Sequence, residues 1–386
     1  MYRFQRKFVF THSKKGVSFL YMEGIKVSLL ATSMRGGGAE RVLADLANEF
    51  SRIGLEVDMV LMRAEGPYLN RLSKEINVVD LKAKHIYYDG LPRFIKYIAH
   101  TKPEALLSTI NHTNIVAILS KQITNVKTKI VVTEVNHLTS ALENAESIKK
   151  KVLLPLLIKN LYKKADFVVA VSKGVAEDLV KLANLDPQKV KIIYNPLPND
   201  LWTKAEELVE HPWLSEQKEP VIVSVGRLVK QKDYGTLIRA FAIVRKERKG
   251  KLIILGEGKE RWELEKLIRS LNLEDDVDMP GFVDNPYKYM RKATVFVLSS
   301  IFEGFANVVA EALACGVPVV ATDCPSGPRE ILENGKYGFL VKPRDYEGMA
   351  EKIIKIIDGH RFYVPKEAID KFRIEFVAKE YLKLLL

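Results

Sequence analysis

The sequence predicts an α/β protein of two Rossmann-like domains, each built on a parallel sheet. Three observations carry that prediction. At 386 residues the chain is too long for one ordinary α/β core and comfortable for two. Short apolar, β-branched runs alternate with longer helical patterns from end to end, the signature of parallel strands joined by crossover helices. Between two such series lies Tyr194 to Pro220, with four prolines and two tryptophans, which reads as an interdomain linker.

Taken in order, the first series predicts strands over residues 25–31, 55–62, 105–109, 129–133, 166–171 and 190–193, and so a domain over 25–197. The second predicts strands over 220–225, 251–255, 277–279, 294–298, 317–321 and 338–341, and so a domain over 198–365. Residues 366–386 are expected to form one last helix. Ile369, Phe372, Phe376, Tyr381 and Leu384 recur in it at near-helical spacing and give it an apolar face to bury. Residues 1–24 mix Arg, Lys, Phe and Tyr ahead of the first Rossmann strand, with apolar stretches too short for a secretory signal. They are expected to be a poorly ordered extension, with Met22 as a second potential start.

Composition narrows the class. The chain is 47% hydrophobic and 28% charged, as folded soluble proteins are. Its two cysteines, Cys315 and Cys324, give neither a disulfide framework nor zinc-ligand spacing, which favours a reducing compartment. No apolar run approaches the roughly 20 residues of a spanning helix. The net charge of +12 resides wholly in residues 1–204, which hold 31 Lys and Arg against 19 Asp and Glu, while the remainder balances at 29 against 29. Such asymmetry suits an anionic partner or, more plainly, a solubilising surface.

Three segments carry chemistry. Gly36-Gly37-Gly38 lies between the first strand and a helix, where glycines admit a ligand to the backbone and helix-start amides favour an anion. A dinucleotide fingerprint needs a third glycine where Arg41 stands, so NAD is not supported. At the next segment a strand ends in Gly226-Arg227, with Lys232 five residues beyond Arg227, at the sheet edge where α/β ligands bind. Guanidinium and ammonium together suit a diphosphate. In the last, Glu303 occupies a glycine-bearing loop and Glu311 an apolar, alanine-rich helix, where a carboxylate needs a partner such as ligand hydroxyls. The amides of Phe305, Ala306 and Asn307 precede that helix and face any phosphate at the edge.

These residues resemble the retaining glycosyltransferases of family 4, which have the fold called GT-B, and the resemblance implies two facing Rossmann-like domains with an interdomain cleft. The resemblance runs through Gly226-Arg227 with Lys232, Gly256-Glu257-Gly258, Pro280-Gly281-Phe282, Glu303 to Glu311, Gly316 to Val320 and Glu330-Ile331, and covers nearly all of 25–386. It implies that Arg227 and Lys232 hold a donor diphosphate, that Glu311 binds the ribose, and that Glu303 with the 305–307 amides lies against the donor sugar. It also implies that Gly37 and Gly38 close the site and that the last helix returns to the first domain. Cations and helix-start amides then stabilise the departing nucleoside diphosphate without a divalent metal. Asp276-Val277-Asp278 imitates a metal-binding Asp-x-Asp, but at a strand entry remote from these loops. Where the family often places a histidine near the donor sugar, this chain has Thr133-Glu134-Val135-Asn136-His137, so Glu134, Asn136 or His137 fills that role.

Cys324 to Leu332 resembles the version found in transferases that build bacterial surface polysaccharides and polyprenyl-diphosphate-linked glycans. The donor implied is a UDP-hexose or UDP-N-acetylhexosamine, with GDP-mannose next. Ile148 to Lys164 mixes apolar and cationic residues as interfacial segments do, though a core-packed helix with snorkelling lysines has the same pattern. A cytoplasmic enzyme at the inner face of the membrane is expected. Two other classes stand beside it: an epimerase or phosphorylase on the same architecture, and a nucleic-acid-binding protein drawn by the positive charge. No lysine stands out as a pyridoxal phosphate anchor, and no nucleic-acid motif is present.

Overall fold

The computed structural model describes residues 9–11, 19–21, 24–145 and 147–386, and the chain divides into two units. Val9–Thr11 (β1) pairs antiparallel with Phe19–Tyr21 (β2). What else the sequence suggested for residues 1–23 lies outside the described residues.

The first unit comprises Met1–Val171, Val175–Pro196 and Ile374–Leu386. Its strands are Lys26–Ala31 (β3), Glu56–Leu61 (β4), Asn77–Asp80 (β5), Ala105–Thr109 (β6), Lys129–Glu134 (β7), Phe167–Ala170 (β8) and Val190–Ile192 (β9). They form one parallel sheet in the order β5-β4-β3-β6-β7-β8-β9. The inner strands are buried along almost their whole length, as strands covered on both faces must be, which is why they read as continuous apolar runs. β5 escaped the sequence reading because only Val78 and Val79 of its four residues are apolar, at the edge of the sheet.

The second unit comprises Ser172–Gly174 and Leu197–Arg373. Val221–Val225 (β10), Lys251–Leu255 (β11), Val277–Gly281 (β12), Val295–Leu298 (β13), Val319–Thr322 (β14) and Phe339–Val341 (β15) form a parallel sheet ordered β12-β11-β10-β13-β14-β15. In both sheets the order reverses beside the first strand, between β3 and β6 and between β10 and β13. Such reversal points open a crevice at the carboxyl ends of the strands.

Two expectations need correction. Most of Tyr194 to Pro220 is a packed strap of the second unit, since Leu201, Ala205, Val209 and Leu214 are buried. Asn285 Nδ2 donates to Lys204 O and to Glu207 Oε2, both at 2.8 Å, and so pins it. The last helix is two helices, Lys366–Asp370 and Ile374–Leu385. Lys366–Arg373 stays with the second unit, where the Phe372 ring meets Phe305 edge-on at 5.4 Å. Only the second helix joins the first unit, burying Ile374, Val377, Ala378, Tyr381, Leu384 and Leu385 in the core that holds Leu43, Leu46 and Phe50. Among the described residues no helix is long and apolar enough to cross a membrane.

Because Tyr381 is fully buried in that cluster, Tyr381→Ala should cost the first unit about 3–5 kcal/mol. Trp202, Trp213 and Trp262 all lie in the second unit, so urea unfolding followed by far-UV circular dichroism, compared with tryptophan fluorescence, is the measurement that separates the two.

Candidate active site

In the second unit the reversal point brings the loop after β10 against the loop after β13, and side chains stitch the two together. Ile301 N donates to Gln231 O at 2.8 Å, and Gln231 Nε2 to Phe302 O at 2.9 Å. Ser299 Oγ donates to Lys232 O at 2.7 Å. At the centre Lys232 Nζ and Glu303 Oε1 form an ion pair at 2.5 Å, with side chains only 15% and 9% exposed, and Ser300 Oγ donates to the same oxygen at 2.6 Å. A carboxylate this buried requires such partners. Sequence reasoning found Lys232 and Glu303 but missed Ser300, whose hydroxyl holds the carboxylate, and Ser299 and Ser326, whose hydroxyls hold the backbone; Ser326 Oγ donates to Glu303 O at 2.6 Å. Serines directly after an apolar strand were the available signal.

Glycines make this approach feasible. A Cβ on Gly226 would stand 3.2 Å from Lys232 Cε and 2.9 Å from Tyr234 Oη, so the lysine stem lies where a side chain would be. Gly256, at φ +144°, supports the same loop from behind, with the position of a Cβ only 1.9 Å from Gly226 O. Arg227 is exposed, and while its carbonyl accepts from Val229 N at 2.9 Å, its guanidinium makes neither a hydrogen bond nor an ion pair among the described residues.

Phe305 and Ala306 are buried, and Asn307 opens the helix Asn307–Ala314. Ala306 sits at φ 67° and ψ 60°, a left-handed conformation that costs a non-glycine residue on the order of 1–3 kcal/mol and concentrates at functional sites. Glu311 lies one helical turn before Cys315 and is buried in that helix. Burial, with Glu311 adding to it, pushes the Cys315 thiol up to about 12. Of the metal-like pair, Asp276 is held by Arg245 Nε at 2.7 Å and Lys251 Nζ at 2.8 Å, and Asp278 pairs with His211 Nε2 at 2.9 Å.

In the first unit the turn after β3 leads through Gly36, at φ +115°, to Gly37 and Gly38 at the start of the helix Gly38–Arg52, which no side chain caps. Met34 anchors this turn, its amide donating to Glu65 O at 2.9 Å.

At the end of β7, Glu134 is fully buried and accepts from four donors. Oε2 takes Asn111 Nδ2 at 2.9 Å and the Tyr162 hydroxyl at 3.2 Å; Oε1 takes the amides of Val135 at 3.1 Å and Asn136 at 3.3 Å. Burial pushes its carboxyl up to about 7, and Asp178 adds to the rise, while the two amides and Tyr162 pull it down. His137 caps the helix Leu138–Glu143, its Nδ1 accepting from Ser140 N at 3.3 Å and lying 3.7 Å from Asp178 Oδ2. Asn111, Asn114 and Tyr162 escaped sequence reasoning, because nothing in their spacing relates them to residue 134.

The description "Glycosyl transferases group 1" matches residues 207–368, and "Glycosyltransferase Family 4" matches residues 36–200. A Campylobacter jejuni protein named N-acetylgalactosamine-N,N'-diacetylbacillosaminyl-diphospho-undecaprenol 4-alpha-N-acetylgalactosaminyltransferase is 34% identical over 375 residues, which are 92% of this chain and 99% of that protein. An uncharacterized glycosyltransferase of Methanocaldococcus jannaschii is 30% identical over 76% of this chain and 82% of its own length. Among solved structures, Anabaena HepE in complex with UDP-glucose matches with a TM-score of 0.75 at 20% identity, covering 94% of this chain and 99% of that one. The lipopolysaccharide outer core galactosyltransferase WaaB matches at 0.70 and 21%, covering 93% and 99%. The chain belongs to the glycosyltransferases of family 4 and has their GT-B fold. Of the classes the sequence left open, the transferase is the one that stands.

Gly256→Ala should lower the stability of the second unit by about 1–3 kcal/mol, since the new methyl meets a backbone oxygen at an unfavourable φ. Tryptophan fluorescence in urea reports that unit and checks the value.

Proposed function

We propose that this enzyme transfers a hexose or N-acetylhexosamine, with retention of anomeric configuration, from a nucleotide sugar to a glycan or polyprenyl-diphosphate-linked acceptor in cell-envelope glycan synthesis. UDP-sugars are the favoured donors, GDP-mannose the next. The observation that carries the reading is the Lys232–Glu303 pair at the reversal point of the second sheet, in the loop that also bears Arg227. Arg227 and Lys232 take the diphosphate, Glu311 the ribose hydroxyls, and Glu303 with the amides of Phe305, Ala306 and Asn307 the sugar and its phosphates. Gly37 and Gly38, at the start of the helix Gly38–Arg52 that no side chain caps, suit an anionic group of a substrate. His137 meets the sugar, its Nδ1 held by the Ser140 amide so that Nε2 is the ring nitrogen left for a substrate hydroxyl. In this reading the cations and amides meet the leaving-group charge and no divalent metal is required.

The acceptor class draws on the C. jejuni relative, whose name specifies a diphospho-undecaprenol acceptor and an N-acetylgalactosaminyl donor group. Contact with the inner face of the cytoplasmic membrane fits the helix Ile148–Leu161. On it Val152, Leu153 and Leu156 are 61%, 57% and 52% exposed, among exposed Lys151 and Lys159, with exposed Lys163 and Lys164 just beyond its end.

Ligand that binds the folded state raises its stability, by about 2.7 kcal/mol at a hundred times Kd. UDP or a UDP-sugar should therefore raise the melting temperature of the wild type selectively, and Arg227→Ala with Lys232→Ala should abolish the shift. A well-folded sample that responds to no uridine or guanosine nucleotide would sink the donor assignment. Co-flotation with phosphatidylglycerol vesicles should fall in Leu153→Asp with Leu156→Asp; undiminished flotation refutes that surface.

A further inference from the structure

We infer that Glu134 is a positioning residue for sugar transfer: its ionised carboxylate holds the Val135–His137 turn, and through it His137, in the arrangement that transfer uses. The catalytic consequence rests on the function proposed above; the latch itself rests on geometry alone.

Glu134 is a fully buried carboxyl that makes no ion pair among the described residues. Bare burial of a carboxylate costs several kcal/mol, and a fold selected for stability alone would place an apolar side chain here. What compensates it is a complete set of donors. The direction of the Tyr162 bond is set by its neighbours: Asn114 Nδ2 donates to Thr133 O at 2.9 Å and to the Tyr162 oxygen at 3.0 Å, which leaves the Tyr162 proton for Glu134, and the two backbone amides can only donate. Burial raises the Tyr162 hydroxyl well above its ordinary range, so that proton stays in place. Both carboxylate oxygens therefore face donors only. An ionised carboxylate satisfies that demand; a protonated acid or a glutamine sets a donor against a donor.

The turn depends on this group because two of the four bonds come from its own amides, Val135 and Asn136, and His137 follows directly. Downstream the geometry continues without a gap. His137 caps Ser140, and Thr139 donates to Asp178 through its amide at 3.0 Å and through its hydroxyl. The titratable groups around Glu134 are Tyr162, Asp178 and His137, with Tyr87 beyond Tyr162, and Tyr381 sharing a 3.4 Å contact with Thr133. Asp178 disfavours the anion by its charge. The carboxyl is accordingly raised by burial, toward about 7, and the latch is made as pH rises through that value and released below it.

The test combines pH–rate profiles of transfer with 15N spectra of the histidine side chains, in wild type, Glu134→Gln and Tyr162→Phe, with His137→Gln used only to assign the resonance. Wild-type kcat/KM should fall about tenfold per pH unit below the Glu134 titration. Glu134→Gln should lose about 100-fold in kcat/KM and lose that acid limb, with nucleotide affinity held within about threefold. Tyr162→Phe removes one donor to the anion and should move the limb to higher pH. At alkaline pH the wild-type His137 should show one tautomer, protonated at Nε2, and Glu134→Gln a mixture. An acid limb unmoved in Tyr162→Phe, or His137 shifts unchanged in Glu134→Gln, overturns the inference. Should Glu134→Gln not fold, Tyr162→Phe decides alone. If wild type transfers from no nucleotide sugar, the proposed function fails, and the His137 spectra still decide the latch.

Discussion

The Lys232–Glu303 ion pair is the constraint around which the second unit's site is organised. Its members come from loops 71 residues apart and meet because β10 and β13 are neighbours in the sheet. Breaking a buried pair costs about 3–5 kcal/mol, since the remaining charge keeps its desolvation penalty without its partner. The fold meets that demand with Ser300 on the carboxylate, Ser299 on the lysine carbonyl, and glycines that clear the lysine stem. A phosphate arriving at this edge would share Lys232 with Glu303, whereas Arg227 would come to it uncommitted.

The first unit solves a related problem by different means. Glu134 is as buried as a side chain can be, yet it has donors where Glu303 has a cation. The difference shows in the chemistry. Neutral donors leave the Glu134 carboxyl exposed to desolvation and bring its titration toward neutrality.

Joining the units is a chain that leaves the first at Pro196 and returns at Ile374. The return is driven by burial: the helix Ile374–Leu385 places six apolar or aromatic side chains against the first unit's core, whereas Phe372, two residues earlier, is held against Phe305. The break at Lys371–Arg373 lets adjacent residues serve two cores, which a continuous helix with one apolar face does not allow.

Much of this was legible in the sequence, because alternating apolar runs and crossover helices are local patterns. The strand series, the glycine turn before Gly38, the Arg227 and Lys232 spacing and the Glu303 to Glu311 segment needed only neighbours in sequence to be read. β5 was lost because an edge strand has no continuous apolar run to show, and Tyr194 to Pro220 was misread because prolines mark turns in packed segments as well as in free ones. What tertiary structure alone decided is which distant groups meet: Lys232 with Glu303, Asp278 with His211, and Asn111 and Tyr162 with Glu134. The physical reason is that charge compensation and hydrogen-bond direction are settled by proximity across the sheet, and strand order, which sets that proximity, leaves no mark on the local pattern of the chain.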